Sequence, residues 1–138
     1  MDIITHSFLN FQVALKIYHW QTLSYPRHIA SDGLFQKISL NIDKFVEILQ
    51  GSRNERIKFN NNEVIRLRNF SEKNGLDLLY GFKDWLENEL SKYLNIEKET
   101  DLINLRDEMI GDLNQTLYLF SLKQKMVVLQ MYPKSILF

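Results

Sequence analysis

The sequence predicts an all-α fold, a single bundle of four helices taking up residues 1–138 as one domain. Three observations carry that prediction. Apolar residues recur at spacings of three and four in four separate stretches. Breakers are scarce, with 5 Gly and 2 Pro in 138 residues, and scarce breakers mean long helices. The gaps between the stretches are unequal, two short and one long, and that inequality decides how the helices connect.

The first helix is expected over residues 2–23, with Ile4, Phe8, Phe11, Leu15 and Tyr18 along one face. Ser24-Tyr25-Pro26 breaks it, because proline cannot continue a helix smoothly. The second helix is expected from Arg27 to Gly51, a glycine stop, with a core stripe of Leu34, Ile38, Ile42, Phe45 and Leu49. Residues 52–74 show no clean period and carry Asn60-Asn61-Asn62. The third helix follows Asn74-Gly75, with Leu79, Phe82, Leu86, Leu90 and Tyr93 on one face. Thr100-Asp101 offers a cap for the fourth, striped by Leu102, Leu105, Met109, Leu113, Leu117 and Phe120. Pro133 closes it ahead of the apolar tail Ile136-Leu137-Phe138.

The two short gaps make antiparallel hairpins of the first and last pairs of helices. The long gap, about 23 residues, can return along a helix of about 36 Å. Two hairpins joined by one long crossover describe the ferritin-like bundle rather than a simple up-down-up-down one. An ordinary helical bundle with a loose loop is the competing arrangement.

Composition narrows the function classes. At 45% hydrophobic and 25% charged residues, the chain is not disordered. The absence of cysteine removes disulfides, thiol nucleophiles, iron–sulfur clusters and thiolate zinc sites, and fits a cytoplasmic, intracellular protein. Lys+Arg and Asp+Glu are both 17, so a protein that lives on phosphate attraction is not expected, and DNA binding should be weak. Only the stretch from Arg53 to Lys73 leans basic. No apolar run is long enough for a membrane span, and Asp2 argues against a secretory signal.

The chemistry-bearing residues cluster around the second helix. His19 ends the first helix inside Tyr18-His19-Trp20, and His28 opens the second, which then carries Asp32, Asp43 and Glu47. With His28 at zero on a helical wheel, Asp32 lies near about 40°, Asp43 near about 60° and Glu47 near about 100°, whereas the apolar stripe centres near about −80°. These carboxylates face away from the bundle core. His28 and Asp43 are about 22 Å apart along one helix, so they cannot share a metal within one chain. They can if two such helices pack antiparallel about a two-fold axis, with Phe35 and Ser39 close to it. His19 joins because the short turn holds it beside His28. Two imidazoles and two carboxylates with open positions suit Fe(II).

Tyr18-His19-Trp20 followed by His28, Asp32, Asp43 and Glu47 resembles the ferroxidase signature of Dps proteins, the mini-ferritin branch of the ferritin-like superfamily. The resemblance covers residues 8–50, and its nearest counterparts would be the short Dps-like proteins of large DNA viruses. It implies Fe(II) oxidation to Fe(III) at a site shared by two subunits, with iron storage and oxidative protection as the outcome and Zn(II) as a substitute for the iron. His19 and His28 of one subunit would act with Asp43 and Glu47 of its mate, and Asp32 would help a second, weaker iron. It further implies a homo-oligomer, a two-fold dimer or a larger cage. A Lys-rich N-terminal arm is not expected, since Met1 runs straight into the first helix.

The alternative is a ferritin-like structural or interaction protein, a catalytically inactive dimeric scaffold in the cell or the virion. The stretch between His19 and His28, shorter than is usual in Dps, motivates it. Trp20 is expected to pack near the site. Glu108 and Asp112 form an i,i+4 acidic pair expected to be a solvated surface feature, and His6 is given no role.

Overall fold

The computed structural model describes residues 1–123; Pro133 and the apolar tail, expected to end the fourth helix, lie outside them. Within that range the chain is helical without strands: α1 Asp2–Gln21, α2 Tyr25–Arg53, α3 Glu72–Asp84 and α4 Thr100–Ser121. The α3 rod continues through a π turn, Trp85–Glu89, and a 3-10 turn, Leu90–Tyr93. Among the described residues, no helix is long and apolar enough to cross a membrane.

The expected stripes form the core. Every named stripe residue of α1 and α2 is buried. Phe8 sits at the centre, edge-on to Phe45 at 5.1 Å and to Trp85 at 5.6 Å, the geometry that aromatic quadrupoles favour. Helix α1 packs on α2 and α3, and α4 packs on the same two. Two stripe positions depart. Tyr93 is 40% exposed, because the wide π turn and the tight 3-10 turn change the helical register and put Leu94 in the core instead. Leu117 is half-buried at the edge of the core.

Charged side chains join the helices at both ends. The Glu72 carboxylate, at the start of α3, accepts from Tyr18 Oη (2.9 Å), Thr22 Oγ1 (2.6 Å), Leu23 N (3.3 Å) and the Arg27 guanidinium (2.9 Å). Arg27 lies 5.1 Å over the Phe120 ring and donates to the Phe120 carbonyl at the end of α4. At the opposite end Arg53 grips Glu99 with two nitrogens (2.8 and 3.1 Å) and donates to the Tyr93 carbonyl (2.8 Å). The starts of α2 and α3 are thus at one end of the bundle, and Arg53 and Tyr93 meet at the other.

Boundaries differ from the sequence reading for local reasons. Pro26 falls in the first turn of α2, not before it, where its missing N–H is no loss, and Ser24 caps that helix by accepting from Arg27 N at 3.3 Å. Gly51 does not stop α2; Asn54 does, in the left-handed conformation at φ 51°. Thr100 does not cap α4, because Glu99 is the capping residue and its carboxylate is committed to Arg53 and Asn95 N. Helix α3 starts before Asn74-Gly75, capped by the Ser71 hydroxyl. Gly75 is inside it because the Tyr18 ring occupies the space a Cβ would need.

The stretch from 54 to 71 has no regular structure and is held by side chains. Gln21 closes it at one end, accepting from Phe70 N (2.7 Å) and donating to Asn69 (2.8 Å). Gln50 accepts from Ile57 N (2.9 Å) at the other. His6 has a role after all, its Nε2 donating to the Val64 carbonyl at 3.1 Å.

Two outcomes follow. Gly75→Ala should destabilise the fold by about 1–3 kcal/mol through overpacking against Tyr18. Gly111→Ala, where a Cβ meets nothing within 4 Å, should stabilise it by up to about 1 kcal/mol; urea unfolding measures both, and equal effects would refute the close approach. Burial of Glu72 opposes its ionisation, but hydrogen bonds from Thr22, Tyr18, Arg27 and the Leu23 N–H outweigh it and hold its pKa below the ordinary 4.5. A depressed carboxylate contributes stability that is complete above the unfolded value and lost as pH falls through the folded one. Glu72→Gln should therefore flatten the loss of urea midpoint below pH 4.5; a slope identical to that of the unmodified chain would show that Glu72 contributes nothing to it.

Candidate functional site

His19 and His28 are brought face to face by the short turn between α1 and α2. Their rings stack with centroids 4.0 Å apart and planes 14° from parallel. Nδ1 of His19 lies 2.8 Å from the His28 carbonyl oxygen, and Nδ1 of His28 lies 2.9 Å from the His19 carbonyl oxygen. A carbonyl oxygen only accepts, so each Nδ1 carries a hydrogen, and in a neutral ring held this way the lone pair falls on Nε2. Backbone carbonyls bound at the distal nitrogen are the usual means of orienting a metal-binding imidazole.

Ser31 completes the pair. Fully buried, its hydroxyl lies 3.1 Å from His19 Nδ1 and donates to the His28 carbonyl at 3.0 Å. The sequence reading did not single it out. The available signal was a serine on the core side of α2, a position that usually exists to satisfy a buried polar neighbour. No described residue hydrogen-bonds to Nε2 of either histidine. His19 is 8% exposed, and among the described residues no buried side-chain nitrogen or oxygen lacks a partner. Its unpartnered Nε2 therefore has access to solvent.

The carboxylates divide into two groups. Asp32 is near the histidine end, half-buried, 3.9 Å from the Lys16 ammonium and hydrogen-bonded by Gln36 (3.1 Å). Lys16 also lies 4.5 Å over Phe35 and 6.0 Å from the Trp20 ring. Asp43 and Glu47 stand exposed one turn apart, and no described residue pairs with them. About 22 Å of helix separates His28 from Asp43. Among the described residues, no three histidines, aspartates or glutamates come together closely enough to hold a metal ion. One chain thus presents an imidazole pair and, well apart on the same helix, a carboxylate pair.

Two expectations change. Trp20 is 69% exposed, so it does not pack into the domain; it follows the buried His19 on α1 and falls on the outer side of that helix. Asp112 is not simply solvated. It is half-buried against α2 and lies 3.5 Å from Asn41 Nδ2, and burial, then the nearby Glu108 charge, push its pKa up against the opposing pull of Lys37. Phe35 is half-buried beneath Lys16, and Ser39 accepts from Gln12 at 3.1 Å.

The tautomers are open to direct measurement. Long-range ¹H–¹⁵N correlation spectra of the neutral rings should show Nδ1 protonated and Nε2 bare in both His19 and His28. A hydrogen on Nε2 of either would break the reciprocal arrangement.

Comparison with curated proteins and with solved structures finds no match. Residues 19–120 match DUF5856, described as a family of unknown function. The matched stretch opens on His19 and takes in His28, Asp32, Asp43 and Glu47, the 54–71 segment, α3 and nearly all of α4. By that span the chain belongs to DUF5856.

Proposed function

We propose that this protein binds Fe(II) and oxidises it to Fe(III) at a site completed by two copies of the chain, in the manner of the Dps-like mini-ferritins it resembles. The observation that carries the reading is the histidine pair. Both rings are held through Nδ1 by backbone carbonyls, which in the neutral ring leaves the lone pair on Nε2, the form in which imidazole binds a divalent metal. In the proposed dimer, α2 packs antiparallel to its copy, so the imidazoles of one subunit meet Asp43 and Glu47 of the other. The outward side of α2 also exposes Ile29 and Leu40, the latter 74% accessible, which supplies apolar surface for such a contact. Iron is the substrate here. Each Fe(II) gives up one electron, and O₂ or hydrogen peroxide accepts the electrons.

The same reading makes the bundle ferritin-like, with residues 54–71 as the crossover. Arg27 joining the start of α2 to the start of α3, and Arg53 joining the end of α2 to Tyr93, support two hairpins linked by a returning segment. The engagement of Asp32 by Lys16 favours the other reading, a scaffold without iron turnover, since that carboxylate is then not free for a second metal. A cytoplasmic setting suits the proposal, and DNA binding plays no part in it.

Exchange of subunits separates the two readings. His19→Ala/His28→Ala and Asp43→Ala/Glu47→Ala should each abolish Fe(II) binding and oxidation in their own dimers. Co-refolded together, they pair at random, and mixed dimers hold one wholly intact and one wholly damaged site. About a quarter of wild-type sites should return by that pairing arithmetic. No recovery in dimers verified by native mass measurement would leave the scaffold reading standing.

A further inference from the structure

We propose that the cavity bounded by the first half of α1, the Arg68–Phe70 stretch and α3 is a second binding site, for a planar heteroaromatic acid of mononucleotide size. The cavity holds about 540 Å³, within the range of small-molecule sites. It shares no residue with the histidine–carboxylate constellation and does not depend on the iron reading.

Its floor is aromatic. Phe11 and Phe82 stack with centroids 3.8 Å apart, and Phe82 lies parallel to Trp85 at 5.9 Å. Trp85 opens the π turn, where the helix widens, and no described residue takes its indole N–H. Such a wall suits a flat ring carrying its own polar edge. The rim is polar: His6, Asn69 and Asn74 are engaged by Val64, Gln21 and Ser71, and other side chains of the rim hold no partner among the described residues. The Arg68 guanidinium lies 4.8 Å over Phe70 and holds no ion pair or hydrogen bond among the described residues. A guanidinium steadied on an aromatic face retains its planar fork of donors for a phosphate or carboxylate. Asn10 and Asp77, also on the rim, are likewise unpartnered among the described residues. Asp77 can accept an exocyclic N–H and the Asn10 amide can donate to a ring nitrogen, the donor and acceptor pair that the Watson–Crick edge of adenine offers.

Gly81 adds an independent observation. It sits inside α3, where glycine is a poor helix former. No close contact demands it, because a Cβ there meets nothing within 4 Å, and its φ is not positive. Gly81 lines the cavity, and the missing side chain keeps that volume open.

The same chemistry could be presented by a mononucleotide or by a smaller aromatic carboxylate, so the test carries both. Trp20→Phe leaves Trp85 as the sole tryptophan. That full-length chain, in EDTA, is titrated with AMP, adenosine, inorganic phosphate and nicotinate while indole fluorescence is followed. AMP should change the signal saturably with a Kd below about 1 mM. Adenosine on the same chain, and AMP on Arg68→Ala, should each bind about tenfold more weakly or worse; phosphate alone should not bind. Gly81→Leu, which adds a side chain to the cavity lining where a Cβ meets nothing within 4 Å, should abolish binding while its circular dichroism and melting temperature are kept or raised. Saturation by nicotinate and not AMP would assign the smaller acid to the same site. Absence of saturation by both, or binding that survives Gly81→Leu in a folded chain, overturns the proposal.

Discussion

One carboxylate decides how the four helices meet. Glu72 receives the hydroxyls of Tyr18 and Thr22, the Leu23 N–H and the Arg27 guanidinium, donors drawn from the end of α1, the turn and the start of α2. Through Arg27 it also reaches the last turn of α4. As an exposed ion pair alone it would contribute little. As a carboxylate saturated by directed donors it sets geometry, because its four partners come from segments that share no backbone hydrogen bonds with α3. Burial pushes the Tyr18 pKa up, so that phenol stays a neutral donor.

The same carboxylate reaches the histidines indirectly. Tyr18 precedes His19 and Arg27 precedes His28, so the neighbours of both rings are held from α3. The imidazoles are positioned twice, by each other's carbonyls and by the anchoring of the adjacent residues. The helix ends agree electrostatically with this arrangement. Glu72 sits in the first turn of α3 and Arg27 touches the last turn of α4, each charge opposing the partial charge of that helix terminus.

Periodicity made most of the fold legible. Apolar spacing named the buried faces of α1 and α2 without error; it failed at Tyr93, where the helix itself changed pitch beyond the π turn, and at Leu117, which reaches only the edge of the core. Breakers were less reliable than stripes. Gly51 and Gly75 both lie inside helices, the second because a tyrosine ring needs its place, and a ring contact between distant segments leaves no local mark in a sequence. Pairing His19 with His28 was legible from the short turn between them. Ser31 and Lys16 were not, since a buried hydroxyl and a lysine stem read as ordinary until the helices are docked. Trp20 misled because an aromatic residue signals burial on average, although its place two residues after Tyr18 puts it nearly opposite the apolar stripe of α1.

The reciprocal histidine bonds close a loop between residues nine positions apart, whereas the ties to Glu72 span 45 to 54 positions. Loop-closure entropy grows with the logarithm of that separation, and the difference is about 1.5 kcal/mol in favour of the shorter loop. The α1–α2 hairpin and its paired rings therefore belong to the locally encoded half of the molecule. The cavity beneath Arg68 exists only once the far half has been drawn in. The two regions differ in how much of the chain must be ordered before they exist: partial opening of α3 would erase the cavity, while the histidine pair would lose the Glu72 anchor and keep its reciprocal carbonyl bonds.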